Sequence, residues 1–373
     1  MDLLEYYHDN PPQIEHFIVR KTSIPSSGNV NLYGARGSGK TSLALDYVDQ
    51  TLKTQNVSKP LYIDLEDPNL ILNTLDSLPL QGYIDEQEID ELILDHYEEG
   101  MMETFPRVKR IVVISRIPIQ TSGFTPVQLF PLDYEEFLAF ETGGTSTTGF
   151  NYFLKSGTLP AMARQGKHAT LQMKQFFQQQ FTPNEQALIL ILARYNTQPM
   201  TIHQIYTFTK EHFKISKDFV YRAVKQFIDE GLLYFIDNVD KRSGKKMILY
   251  DFAFAKYLTV HQPFGSQFDS MVALTLLKHS VPFRTLGLHG YLSLNDELII
   301  PAPFESEEII WLKSHKKFTL FKKYGIRKVT IITVASSYAY TIENLNFEAI
   351  PFYEWTIMHQ EEREEPSLEV SSV

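Results

Sequence analysis

The sequence predicts an α/β protein built on a phosphate-loop core, and three observations carry that prediction. A short apolar run, VNLY at residues 30–33, leads straight into GARGSGKT. A helical pattern, SLALDYVDQTLK, follows the loop. Further apolar runs, LYIDL (61–65), LILD (92–95) and IVVIS (111–115), then recur at spacings that fit βαβ alternation. Alternation of this kind builds a mostly parallel sheet covered on both faces.

Taken in order, a polar lead-in with Pro11, Pro12 and the turn SIPSSG precedes the first strand. LEDPNLILNTL reads as a turn and a helix, and the polar stretch between 95 and 111 reads as helical. From Phe130 the pattern changes to PLDYEEFLAFE, a Gly- and Thr-rich loop (TGGTSTTG) and FNYFLKSGTLPAMARQ, a small helical appendage. Between Pro183 and Tyr257 come three helical segments, NEQALILILARY, TIHQIYTFTKEH and SKDFVYRAVKQFIDE. A hairpin of LLYFID and MILYDF follows them, which is the winged-helix order. The rest opens with a helical pattern at 265–279 and offers short strands near 284–300, 329–334, 339–343 and 347–351, an α/β arrangement. QEEREEPSLEVSSV at the end is acidic and Pro-interrupted and reads as a disordered tail.

Composition bounds the function. At 373 residues, with 43% hydrophobic and 21% charged residues, the chain has the apolar supply of a globular protein of two or three domains. Its longest apolar run, Ala187–Ala193, is far short of the ~18 residues that a bilayer span needs. The start MDLLEYYHDN has neither a basic region nor an apolar core, so no signal peptide is expected. Cysteine is absent, which excludes disulfides, thiolate metal sites and cysteine nucleophiles, and makes a cytoplasmic address the expectation. The net charge of -10 has the wrong sign for non-specific nucleic-acid binding by the whole surface, but residues 181–260 carry 11 basic and 8 acidic residues. Any DNA contact belongs to that segment.

Gly34, Gly39, Lys40 and Thr41 satisfy GxxxxGK[ST] between a strand and a helix, the context the motif requires. The loop formed by Gly34, Ala35, Arg36, Gly37, Ser38, Gly39, Lys40, Thr41 and Ser42 must turn its amides inward around phosphates, at φ values a side chain resists. Lys40 supplies a point charge to the β and γ phosphates of ATP or ADP, and Thr41 offers its hydroxyl to Mg²⁺. A neighbouring strand must add an acid for the metal. Asp95 is favoured over Asp64, because in P-loop ATPases with an inserted strand the metal-facing aspartate follows the second crossover. A solvated strand end and helix cap is the plainer reading of Asp64, Glu66 and Asp67. Position 96 is histidine where many such ATPases carry glutamate to orient and deprotonate water. An imidazole accepts a proton near neutral pH but provides no fixed negative charge, so slow hydrolysis, or a nucleotide switch, is expected.

GARGSGKTSL, YIDLEDP, ILDHY, VVISR, FPLDYEEFLAFE and FLKSGTLPA, in this order, resemble prokaryotic AAA-type P-loop ATPases with a C-terminal nuclease-like domain. These are relatives of the archaeal ATPases and of the signal-transduction ATPases with numerous domains, and the resemblance runs to about Met358. It implies a P-loop NTPase core at 1–130, a helical lid at 131–180, a winged helix at 181–260, an α/β nuclease-like domain at 261–358, and the acidic tail at 359–373. By the same resemblance Arg36 stands where the family has arginine, Arg116 corresponds to the arginine that reads the γ phosphate, and Gly157 and Pro160 correspond to a lid element whose proline packs on adenine. Plainer readings are a strand-end charge for Arg116 and an ordinary turn for GTLP. An active nuclease would need an ExK beside its acids. Asp269, Asp296 and Glu305 are suitably spaced, yet Glu305 is followed by Ser306 and Glu307, so an inactive end domain is expected.

In the third helix of the middle segment, Phe219, Ala223, Val224, Phe227 and Ile228 are expected on one face, with Lys217, Tyr221, Arg222 and Lys225 toward the other. The wing adds Lys241, Arg242, Lys245 and Lys246 around Gly244. Such a set suits phosphate contacts to double-stranded DNA, while packing against a protein partner or the rest of the chain is the competing expectation. The two function classes are therefore a slow ATPase coupling hydrolysis to movement of the later domains, and a nucleotide-loaded switch or scaffold.

Overall fold

The computed structural model describes residues 3–14, 17–53, 59–71, 79–140, 146–165, 169–240, 244–260 and 263–357. The acidic tail, Lys241 and Arg242, expected at a wing tip, and the start of the Gly- and Thr-rich loop lie outside the described residues. The chain forms two compact units: Met1–Pro131 with Leu159–Ala161 and Gln226–Leu232, and Leu132–Thr158 with Met162–Lys225 and Leu233–Val373. No helix among the described residues is long and apolar enough to cross a membrane.

The first unit contains, in chain order, α1 (Leu3–Asp9), β1 (Asn29–Tyr33), α2 (Lys40–Lys53), β2 (Pro60–Asp64), α3 (Leu80–Gln87), β3 (Glu91–Tyr97), β4 (Arg110–Ser115) and β5 (Phe124–Gln128). The strands form one parallel sheet in the order β2-β3-β4-β1-β5. Continuous apolar runs make β2, β3 and β4 because both their faces are covered. Leu61, Ile63, Leu92, Leu94, Ile111 and Val113 point into one apolar layer with Leu80 and Ile84 of α3. Tyr62, Ile93, Val112 and Ile114 join Val30 and Leu32 of β1 and Leu43, Ala44 and Val48 of α2 in the other. Full burial of each such side chain contributes roughly 1.5–3 kcal/mol.

Residues 98–109 differ from expectation, forming turns and irregular chain instead of a helix. Pro106 withholds an amide from any helical ladder, and Met102, Phe105 and Val108 lie against the β-sheet core. β5, on the edge of the sheet, has exposed positions and a proline, which hid it from a search for apolar runs.

The second unit contains α4 (Tyr134–Phe140), α5 (Ser146–Ser156), α6 (Pro160–Gln165), α7 (Ala169–Gln180), α8 (Pro183–Arg194), β6 (Pro199–Met200), α9 (Ile202–His212) and α10 (Lys217–Asp229). The first two residues of α6 and the last four of α10 count with the first unit. Reciprocal caps start several of these helices, among them Thr182 with Glu185 on α8 and Thr201 with Gln204 on α9. β7 (Leu233–Ile236) and β8 (Lys245–Leu249) complete a small antiparallel sheet in the order β6-β8-β7. β8 stops before the expected hairpin end, because Asp251 caps α11 (Phe252–Tyr257) by accepting the Phe254 amide. The buried face of α10 also shifts from expectation, with Val220, Ala223, Val224 and Phe227 buried and Ile228 40% exposed.

Beyond α12 (Phe264–Lys278) come β9 (Phe283–Thr285), β10 (Tyr291–Ser293), β11 (Glu297–Pro301), α13 (Glu307–Lys323), β12 (Lys328–Thr333), β13 (Tyr338–Ile342) and β14 (Leu345–Pro351). The strands form a mixed sheet in the order β13-β14-β12-β11-β10-β9, parallel through β11, β12 and β14. α13 has no counterpart in the sequence reading. It buries Ile310, Ser314 and Phe321 while exposing Trp311 and Leu312, so its apolar residues do not trace one helical stripe.

Candidate phosphate-binding site

β1 delivers the chain into the loop at the C-terminal edge of the sheet, and α2 begins at Lys40. Gly34 has φ 150°, and a Cβ there would come 2.4 Å from the Leu129 carbonyl oxygen, so only glycine lets the loop leave β1 beside β5. Gly37 and Gly39 also have positive φ, 78° and 95°. The Leu43 amide is bonded to the Gly39 carbonyl, so the amides of Lys40, Thr41 and Ser42 precede the helical ladder. Lys40 Nζ donates to the carbonyls of Gly34 at 2.8 Å and Ala35 at 3.0 Å. Burial pushes its ammonium down to about 8, opposed chiefly by the negative charges of Asp95 and Glu230.

Two arginines brace the loop. Arg20 donates to the Ser38 carbonyl and the Phe130 carbonyl, each at 2.8 Å. Arg36 makes a two-pronged contact with Glu230, Nε to Oε2 at 3.0 Å and Nη2 to Oε1 at 3.1 Å, with both side chains almost wholly buried. Pro160 is the loop's neighbour on another side, its Cγ 3.4 Å from the place a Cβ on Gly39 would take. Gly157, by contrast, serves the second unit: its φ is 75°, and a side chain there would strike the Asp251 carboxylate, which accepts from the Thr158 amide and hydroxyl.

Asp64 ends β2, and its register partner on the neighbouring strand is Asp95, two residues before the end of β3. Asp95 is fully buried; Tyr62 donates its hydroxyl to Oδ2 at 2.8 Å and the His96 amide donates to Oδ1 at 2.8 Å. A carboxylate has about four acceptor sites, so each oxygen keeps a lone pair. His96 has φ 56° and donates from Nδ1 to Asp64 Oδ1 at 2.7 Å. That hydrogen bond raises the His96 pKa against the opposing effect of burial. Arg116 is paired with Glu66 at 3.1 Å and lies 3.9 Å from Glu98.

Polyphosphate fits the residues present. The backbone cradle has no room for a Cβ at Gly34, Lys40 and the leading amides of α2 supply positive charge, and the Ser38 hydroxyl, buried, has no hydrogen-bond partner among the described residues. Thr41 and Asp95 are an oxygen-donor set of the kind magnesium takes alongside phosphate.

Elsewhere the residues singled out from sequence divide. Lys217, Arg222 and Lys225 are exposed on α10. Lys245 and Lys246 are engaged within their own unit, with Asp237 at 2.9 Å and Asp269 at 2.5 Å, and Lys246 is only 14% exposed. Lys245 and Lys246 are therefore less available for phosphate than the composition suggested. Asp269 also accepts from Tyr291, while Asp296 lies near Arg327 and Glu305 pairs with Lys313. The three acids thus have separate partners, and no group of three or more metal-ligating side chains is found among the described residues.

Sequence reading missed Arg20, Tyr62 and Glu230. A signal existed for Glu230, which continues the spacing of Val220, Ala223, Val224 and Phe227 along the buried face of α10.

A parallel sheet of this order, with GxxxxGKT joining the interior strand β1 to a helix, defines the chain's class as a mixed α/β protein with a P-loop core. Among solved structures it is similar to a Walker-type ATPase of Pyrococcus abyssi at 13% identity, covering 62% of this chain and 90% of that chain with a TM-score of 0.39. Similarity extends to the ORC1 protein of Aeropyrum pernix in complex with DNA at 12% identity, covering 63% and 87%, TM-score 0.29. AMPPCP-bound DnaA from Aquifex aeolicus is similar at 15% identity, covering 55% and 83%, TM-score 0.29. No protein-family model and no curated protein matches the chain.

Proposed function

We propose that the protein binds ATP or ADP with Mg²⁺ at residues 34–42 and hydrolyses ATP slowly, its nucleotide state coupled to movement of the winged-helix segment and the C-terminal α/β segment. The observation that carries this reading is the loop: a glycine-built turn whose lysine and helix-start amides converge where β1 meets α2. In this reading Lys40 holds the β and γ phosphates, and Thr41 and Asp95 hold the metal. A magnesium ion held by Thr41 and Asp95 would supply charge neutralisation for the phosphates. Tyr62 fixes the Asp95 carboxylate, Arg116 stands at the strand end for the γ phosphate, and Pro160 flanks the base.

Slow turnover follows from position 96. Its imidazole is committed to Asp64, and no carboxylate occupies the place directly after Asp95. The same observation favours a second reading, a nucleotide-dependent switch or scaffold that turns over little. For partners, we propose that the exposed Lys217, Arg222 and Lys225 contact DNA phosphates, and that the nuclease-like end segment is inactive.

Extraction and identification of nucleotide from the purified full chain, together with its ATP turnover rate, tests the proposal. Bound adenine nucleotide with turnover below ~1 s⁻¹ is expected. A rate of tens per second would remove the case for a switch, and failure to bind any nucleotide would remove both readings.

A further inference from the structure

We infer that Glu230 is a positioning residue that holds Arg36 away from bound phosphate, so that nucleotide at the loop and the C-terminal turn of α10 compete for one guanidinium. The inference rests on the nucleotide-binding reading above and names the residues that would couple it to the helix.

The pair is built for such competition. Arg36 belongs to the phosphate loop, and its guanidinium meets both oxygens of Glu230 at 3.0 and 3.1 Å with side-chain exposures of 3% and 1%. Glu230 immediately follows α10 and sits on a rigid helix end. The Leu232 amide returns to the Phe227 carbonyl at 2.8 Å and the Gly231 amide to the Ile228 carbonyl at 3.0 Å, with Gly231 at φ 74°. This is a Schellman cap, which leaves the Glu230 backbone little freedom. Gln226, one turn earlier, donates to Glu230 Oε1 at 2.8 Å. The carboxylate is thus fixed by the helix end, while its counter-charge is fixed by the loop.

A buried ion pair is costly to form and more costly to leave half-made, so a carboxylate here demands its arginine. Glu230 also acts on Lys40, whose proton affinity it raises. A polyphosphate in the loop adds several negative charges beside this arrangement, attracting Arg36 and repelling Glu230 through a medium that screens poorly. Nucleotide binding therefore weakens the pair and loosens the turn Gln226–Leu232. By reciprocity, loosening that turn strengthens nucleotide binding.

The test uses the full chain. Glu230→Gln should bind ADP and ATP about 10-fold tighter than the wild type, because it removes the repelling charge and weakens the hold of this helix end on Arg36. A purely structural brace would give the opposite sign. In the double variant with Arg36→Gln, the Glu230 substitution should have no further effect on affinity. Hydrogen exchange of the wild type needs no variant: saturating ADP should slow exchange in residues 34–42 and quicken it in 226–232. Slowed exchange in the loop with 226–232 unchanged overturns this inference alone. Unchanged or weaker binding by folded Glu230→Gln does the same. No change at either place, with no binding, overturns the nucleotide reading and this inference with it.

Discussion

Asp64 and Asp95 face each other as partners across β2 and β3, yet one is 40% exposed and held by His96 while the other is wholly buried under Tyr62. Two carboxylates in equivalent places thus have different surroundings. Asp95 is the magnesium acid in our account, so Asp95→Asn should weaken magnesium-dependent ATP binding or turnover by at least about 10-fold, and Asp64→Asn by less. Side-by-side titrations with and without magnesium measure the difference; the reverse order would reassign the metal ligand to β2.

Gly34→Ala should destabilise the first unit by about 2 kcal/mol or more. The new methyl would sit 2.4 Å from the Leu129 carbonyl, at a φ of 150° that side chains rarely adopt. Urea denaturation of variant and wild type gives the number, and a midpoint unchanged within error would show that the loop can leave β1 by another path.

The His96–Asp64 contact predicts a particular pH signature. The His96 pKa is raised by its hydrogen bond to Asp64, while Asp64, penalised by burial, is nevertheless held low by the hydrogen bonds from His96 and the Glu66 amide. The raised imidazole contributes stability fully below about pH 6.5, lost as pH rises through its folded value. The lowered carboxyl contributes above about pH 4, lost as pH falls through its own folded value. Asp64→Asn should therefore cost most between those limits, at most about 1 kcal/mol because both groups are partly exposed. NMR titration of the imidazole should show a lower His96 pKa in the variant; equal values would remove the contact.

How much of this was legible beforehand depends on the element. β1, the loop and α2 could be read because the motif and the flanking periodicity agree, and β2, β3 and β4 because burial on both faces writes continuous apolar runs. α13 could not, since its exposed Trp311 and Leu312 break the stripe that marks a helix. Nor could the stretch 98–109, where apolar side chains anchor irregular chain to the core. In the site, Lys40 and Thr41 follow from spacing alone. Arg20 and Glu230 lie 18 and 194 residues from their loop partners, a proximity that only the folded chain creates.

The ion pairs of Lys245 and Lys246 change the expected pattern of DNA contact. If α10 is the contact element, Lys217→Glu, Arg222→Glu and Lys225→Glu together should abolish duplex binding, whose log–log salt slope should be roughly 0.9 per phosphate contact. Lys246→Gln should matter little, because its ammonium is already spent on Asp269. Binding that ignores the α10 changes, or none at low salt, would return this helix to a packing role.

Lys40 is the most direct test of the whole account. In our account its ammonium meets the β and γ phosphates, and removing a charged hydrogen-bond donor of this kind costs at least about 10-fold in affinity. Calorimetric titration of ATP with magnesium into the wild type and Lys40→Ala should show saturable binding in the first and binding lost or severely weakened in the second. Equal affinities in the two proteins would contradict a phosphate site at residues 34–42.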